Sequence, residues 1–338
     1  MSTTDFSVKT GAAGRADRVF SFQGLGITIF LALLIVVFSF VNPRFFVLEN
    51  FLNVLTQASP FIIMAVGMTF VITAAGIDLS VGSILALSSV IAFEFMTSGG
   101  NPVLGVLLMI VIATLLGLLN GFLVAFLAIP PFIATLGTMV SLRGVSLLHS
   151  AGTMHYGLPE SVAFLGQGEV FGMPVAVIIA LLAALYGYWL MNHTRFGVYC
   201  RSLGGNKEAL RLRGVPVKRI ELMVYALMGS MIGLGGLIMI ARIDSTQATI
   251  ATASEIHVIA AVIIGGTSLF GGKGTIYGSV VGAILLSMIA NALVIGGADF
   301  FWQLVVTGII VLLAVLIGNL REGRIKSAKV PSLLRIKL

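Results

Sequence analysis

Residues 65–86 read AVGMTFVITAAGIDLSVGSILA. Aliphatic chain runs up to Gly76 and resumes after Ser80, with the single acid Asp78 between. A carboxylate at the centre of a membrane helix costs about 2.5–3.5 kcal/mol on insertion scales. The stretch therefore reads as helix, break, helix. Gly76 ends the incoming helix, and Asp78 or Ser80 can cap the next one by accepting free backbone N–H groups. Two readings of Asp78 stand side by side. One is a cap in a tight turn. The other is a polar break lining a pathway, with Thr73 and Ser83 beside it.

The rest of the 338-residue chain has the same character. Apolar residues make up 58 % and charged residues 10 %, against about 45–50 % and about 25 % in soluble domains. Mean hydropathy is +1.09. So few charges cannot cover a soluble globule of this size. The fold class is an all-α membrane protein. Apolar runs lie near 24–41, 59–76, 79–96, 102–128, 130–149, 173–191, 220–241, 256–270, 276–296 and 300–319. These give about ten spans. The stretch 51–76 reads as one long or broken helix, and 256–270 is short for a span.

Sixteen of the 20 Lys and Arg fall in residues 1–22, 192–219 and 320–338. The positive-inside rule places these segments, and so both termini, in the cytoplasm. Six runs precede the central segment and four follow it, and both numbers are even as that placement requires. The opposite side carries Arg44, Glu49, Glu160, Glu169, Arg242, Asp244, Glu255 and Asp299, a net negative set. The chain divides into a tail (1–22), a transmembrane domain (23–319) holding the 192–219 loop, and a basic tail (320–338). Nucleic-acid binding is a poor reading of the basic charge, because these segments flank apolar spans without interleaved aromatics.

Enzyme chemistry finds no constellation. His149, His155, His193 and His257 lack metal-ligand spacing, and Cys200 is the only cysteine. Gly271-Gly-Lys-Gly-Thr275 resembles a phosphate loop, yet Thr267 and Gly274 stand where that motif needs Gly and Ser or Thr. The chain is expected to bind no cofactor, and the energy for any pumping must come from another subunit.

A second copy of the opening pattern lies 196 residues on. Residues 261–282, AVIIGGTSLFGGKGTIYGSVVG, align without gaps to 65–86, with Gly76 on Gly272 and Gly82-Ser83 on Gly278-Ser279. Two breaks suggest pseudo-symmetric halves around a shared path. The pairs Gly117/Gly121, Gly229/Gly233 and Gly278/Gly282 have the spacing that lets helices pack closely in lipid. Thr73, Ser83, Asn120, Thr135, Thr138, Asn291 and Gln303 supply neutral hydrogen-bonding groups, with Phe132 an aromatic close to Thr135 in sequence. Helix–helix bonds explain such groups as well as a path does. The scarcity of charge in the spans favours a neutral solute over an ion.

The central loop contains Gly204-Gly-Asn-Lys-Glu-Ala-Leu-Arg-Leu-Arg-Gly214 before Pro216. Gly204-Gly205-Asn206 breaks the chain. Lys207–Arg213 is expected to be a short amphipathic helix with Ala209 and Leu212 on one side, stopped by Gly214. It reads either as a solvated basic loop or as a helix that docks into a partner's groove.

Taken with Phe132-Ile-Ala-Thr-Leu136, Leu142-Arg-Gly-Val145, Thr194-Arg-Phe-Gly197 and Ile259–Gly274, these stretches resemble the ribose-type permeases of monosaccharide ABC importers. The resemblance spans about Asn42 to Asn319. It implies a bacterial inner-membrane chain that works with a second permease chain, ABC ATP-binding subunits carrying ATP and Mg, and a periplasmic sugar-binding protein. It also implies that Glu208, Ala209 and Gly214 match the E-A-A-x-x-x-G loop that docks on the ATPase, with Leu210 replacing the second Ala. One stretch departs: Thr246–Ile256 keeps an acid at Glu255 but lacks the Pro, Gly and Tyr common in the family. That segment, with Arg242, Asp244 and Glu255, is expected to face the binding protein. The competing reading is a self-sufficient ion-coupled transporter of a small neutral solute, with Asp78 as its ion site.

Overall fold

The computed structural model describes residues 22–41, 45 and 47–321. The tails 1–22 and 320–338 lie almost wholly outside the described residues, as does Arg44. Thirteen helices are described. They begin with α1 (Phe22–Val41), α2 (Leu48–Thr73), α3 (Val81–Thr97), α4 (Pro102–Ala125) and α5 (Pro131–Ser150). There follow α6 (Glu160–Gln167), α7 (Val175–His193), α8 (Arg195–Gly205), α9 (Lys207–Leu212) and α10 (Val217–Ile243). The last are α11 (Ser254–Ile264), α12 (Ile276–Ile295) and α13 (Phe300–Arg321). Each apolar run of the sequence overlaps a helix, but the run 256–270 leaves α11 after Ile264. Among the described residues, six of them, α2, α4, α5, α7, α10 and α12, are long and apolar enough to cross a membrane. The 17-residue α3 and the 11-residue α11 are shorter. At 1.5 Å per residue, α11 rises only about 16 Å, half a bilayer core.

The stretch 51–76 is one continuous helix, with Pro60 inside it. From Ile62 to Thr73 every residue of α2 is buried, and most of α10 is buried as well. These two helices form the centre. By contrast α4 exposes Val103, Leu104, Leu107, Val111, Leu115, Leu119 and Phe122, an apolar stripe at helical spacing.

The small-residue pairs are where the helices touch. A methyl built on Gly117 would strike the carbonyl of Tyr225 and stand 2.9 Å from Cα of Gly229. One on Gly233 would stand 2.8 Å from Cα of Ile110. So α4 and α10 cross backbone to backbone. Gly278 and Gly282 likewise admit the carbonyls of Gly265 and Ala261, closing α12 onto α11.

Four short strands complete the chain. β1 (Met154–Tyr156) pairs antiparallel with β4 (Ser245–Gln247), and β2 (Glu169–Val170) with β3 (Met173–Pro174). β4 and α6 sit against α10, with Gly166 against the backbone of Ala241 and Arg242 at its C-terminal end, while β3 lies against α7 and α2.

Candidate transport path and coupling surface

The first break occupies residues 74–80. Its left-handed residue is Ala75 (φ +60°), whereas Gly76 has an ordinary φ. Gly76 is there for room: a methyl on it would stand 2.9 Å from the hydroxyl of Tyr225. Asp78 is wholly buried and does not cap α3, whose N-cap is Ser80. Instead its Oδ1 accepts the N–H and hydroxyl of Ser80 at 2.8 and 2.6 Å, closing the turn. Asn120 Nδ2 donates to Ser80 Oγ (2.7 Å), and Thr138 donates to Asn120 Oδ1 (2.7 Å). Thr135 and Tyr225 both donate to the carbonyl of Ile77, at 3.3 and 3.2 Å. Ser83 donates back to the carbonyl of Ser80. One buried network thus ties α3, α4, α5 and α10 to the break. Oδ2 of Asp78 has no hydrogen-bond partner among the described residues.

The sequence-selected set therefore separates. Asp78, Ser83, Asn120 and Thr135 belong together. Thr73 faces the second break. Phe132 is more than half exposed, away from the buried polar groups. Asn291 bonds Asn50 at the start of α2, at the opposite end of that helix from the break. Sequence reasoning missed Tyr225, whose only signal is a phenol within an apolar run.

The second break, residues 265–275, meets the first. The N–H of Gly272 donates to the carbonyl of Thr73 (2.8 Å), and Thr69 shares a hydrogen bond with Ser279 (2.7 Å). Gly204, in the last turn of α8, is wedged against Thr73 and Gly272. Both breaks and the central loop thus converge on one point.

The loop is built as two helices rather than one. Thr194 caps α8 and Asn206 caps α9, its Oδ1 accepting the N–H of Ala209 (2.9 Å). Gly214, at φ +77°, stops α9. Lys207 pairs with Glu221 of α10 (2.6 Å), and Glu208 with Arg211 (2.6 Å). Hydrogen bonds from Arg211 hold the Glu208 carboxyl below the usual carboxylate range. The residue that anchors α9 is Leu210, buried; Ala209 and Leu212 are exposed. Burial pushes the Cys200 thiol up to about 12, so it packs as an uncharged residue. Beside the loop opens a cavity of about 790 Å³, lined by Ala75, Phe126, Lys207, Arg211, Lys218 and Arg219 among others.

Of the three residues expected to face the binding protein, two lie at the end of α10. Asp244, at φ +50°, accepts the N–H of Leu158 (2.7 Å), and Arg242 has its Nε buried. Glu255 lies deeper. Thr246 bonds Ser89 (2.8 Å), but the chain then continues along α3 until Ala251 and Glu255 lie against Gly82. Seven residues of α3 separate the two levels, about 10 Å. The polar composition of 246–256 suggested a surface loop; its small side chains instead let it fold back into the bundle.

A family described as "Branched-chain amino acid transport system / permease component" matches residues 50–315. The chain belongs to this permease family. Among curated relatives, the Ribose import permease protein of Escherichia coli (strain K12) is 40 % identical over 296 residues, covering 86 % of this permease and 92 % of the relative. The ribose import permease of Bacillus subtilis (strain 168) is 41 % identical, covering 89 % and 94 %. The D-allose transport system permease of E. coli (strain K12) is 36 % identical, covering 86 % and 90 %. The family description names an amino acid system, whereas these relatives are named for sugars. No solved structure matches the chain.

Proposed function

We propose that this permease forms the passive membrane half of an ATP-driven importer for a monosaccharide, ribose or a related sugar. The observation that carries the reading is the convergence of both helix breaks on Gly204, three residues before the start of α9. Motion imposed on α9 from outside would reach both breaks together. An ABC ATP-binding subunit, carrying ATP and Mg, supplies that motion by docking on Glu208, Ala209, Leu212 and the adjoining cavity. Ten spans, with both termini and α8–α9 on the cytoplasmic side of the inner membrane, fit the distribution of basic residues. A periplasmic sugar-binding protein then meets the opposite end, around Arg242 and Asp244, and a second permease chain completes the path. Sugar permeases at about 40 % identity along most of the chain support the substrate class.

The test is reconstitution. The permease, purified with a partner ATPase and a periplasmic sugar receptor, should take up labelled sugar into proteoliposomes only when ATP, receptor and sugar are all present. Uptake by the permease alone, driven by a proton or sodium gradient, would overturn the reading in favour of an ion-coupled transporter.

A further inference from the structure

The segment that folds back into the bundle carries three non-glycine residues in the left-handed region within ten positions: Asp244 (φ +50°), Ala251 (φ +57°) and Ala253 (φ +65°). Such conformations cost free energy at every occurrence and persist where the surroundings impose them, often at functional sites. Non-helical backbone at membrane depth is tolerated only where it is buried in protein or lines a cavity.

Two opposite charges sit at the bottom of this segment. Arg143 of α5 spends Nη1 on the carbonyls of Ala248 and Ile250, at 2.6 and 3.1 Å. Its Nη2 stands 3.2 Å from where a Cβ on Gly82 would lie. Oε2 of Glu255 stands 2.9 Å from the same point. The two groups converge on Gly82 and yet form no ion pair within 4 Å among the described residues. Oε2 of Glu255 is buried with no hydrogen-bond partner among the described residues, while the backbone N–H groups of Glu255, Gly82 and Ala253 stabilise the carboxylate. A methyl at that point would also strike the carbonyl of Ala251, so protein closes it, and the half-buried Arg143 and Glu255 are reached only from their open side. The neighbouring surface is open, with Ile256 about half exposed and space around Gly144.

We propose that Glu255 and Arg143 are sugar-contacting residues of the path, meeting the solute on the open side next to Ile256 and Gly144. This rests on the sugar-importer reading above. A carboxylate only accepts hydrogen bonds and a guanidinium only donates them. Together they serve hydroxyls that do both, and their charges cancel, which suits an uncharged polyol ring. The pair lies in the bundle beyond Thr246, so its role differs from receptor docking at Arg242 and Asp244.

The experiment uses the complete complex of permease, ATPase and receptor in proteoliposomes. The probe is whichever of ribose, allose or galactose the unaltered complex takes up. Glu255→Gln and Arg143→Gln should each lower sugar moved per ATP hydrolysed by about tenfold or more, as for a lost hydrogen bond to a charged group. Glu255→Asp, which keeps the charge, should recover part of it. Should Glu255→Gln fail to assemble, Glu255→Asp and Arg143→Lys carry the test, each with a smaller loss. Sugar per ATP at the unaltered level in the assembled variants would overturn the proposal. So would a fall in receptor affinity matching the fall in uptake, which would place Glu255 on a docking surface. If the unaltered complex moves no sugar, the importer reading fails instead, whatever these variants do.

Discussion

Replacing Gly204 with Ala probes the convergence of the two breaks. The added methyl would collide with the carbonyl of Thr73 and the amide of Gly272, and stand 3.0 Å from Cα of Gly271. All three neighbours are backbone, so no side-chain rotation relieves the clash. Either α8 retreats, or the bond from Gly272 N–H to Thr73 O breaks. Overpacking of this kind costs about 1–3 kcal/mol, and a lost hydrogen bond adds about 1 kcal/mol. A loss of about 2–4 kcal/mol is a shift of roughly 30- to 1,000-fold in the equilibrium between wedged and displaced loop. Gly205 is an internal control, because a methyl there meets nothing within 4 Å. Gly205→Ala should stay within about 0.5 kcal/mol of the parent. Detergent-induced unfolding of the purified permease measures both variants, and sugar moved per ATP in the reconstituted complex measures transmission. Equal stability and equal coupling in the two variants would refute the reasoning.

Three further outcomes follow from the same geometry. Asp78→Asn keeps the oxygen that accepts from Ser80, so it should assemble normally and retain ATP-driven uptake. Asp78→Ala should lose about 1–3 kcal/mol of stability, and loss of all uptake in Asp78→Asn would instead favour an ion site. Leu210→Ala, which empties the buried anchor of α9, should cost about 2–5 kcal/mol. Leu212→Ala at the exposed position should leave unfolding unchanged and weaken ATPase association, a contrast read by unfolding and co-purification. Cys200 is the only cysteine, fully buried, with its thiol pushed up to about 12. The folded permease should therefore resist maleimide labelling at neutral pH until detergent unfolds it, and rapid labelling of folded protein would contradict the packing described.

Much of the architecture was legible because lipid imposes simple demands. Continuous apolar runs marked the helices, and glycines four apart marked where α4 crosses α10. The pairing of the two breaks was readable from their shared pattern, since Gly76 and Gly272 align. Conformation at single residues was not. The pattern ended the incoming helix at Gly76, but Ala75 takes the left-handed turn and Gly76 makes way for Tyr225. In α9, helical spacing grouped Ala209 with Leu212, and which side faces inward depended on where α8 held it. The depth of Glu255 was hidden for a similar reason. A polar stretch between spans looks like a surface loop, and only the brevity of α11 hinted that chain had been drawn inside.

The wedge at Gly204 separates what the loop recognises from what it moves. On the proposed coupling, recognition would lie on the exposed side of α9, between Lys207 and Arg213, whereas movement would pass through a glycine that precedes it in the chain. The two can therefore change independently. Grafting residues 206–213 from a related permease, with Gly204 left in place, should redirect this chain to a different ATPase while preserving the contact that joins its two breaks.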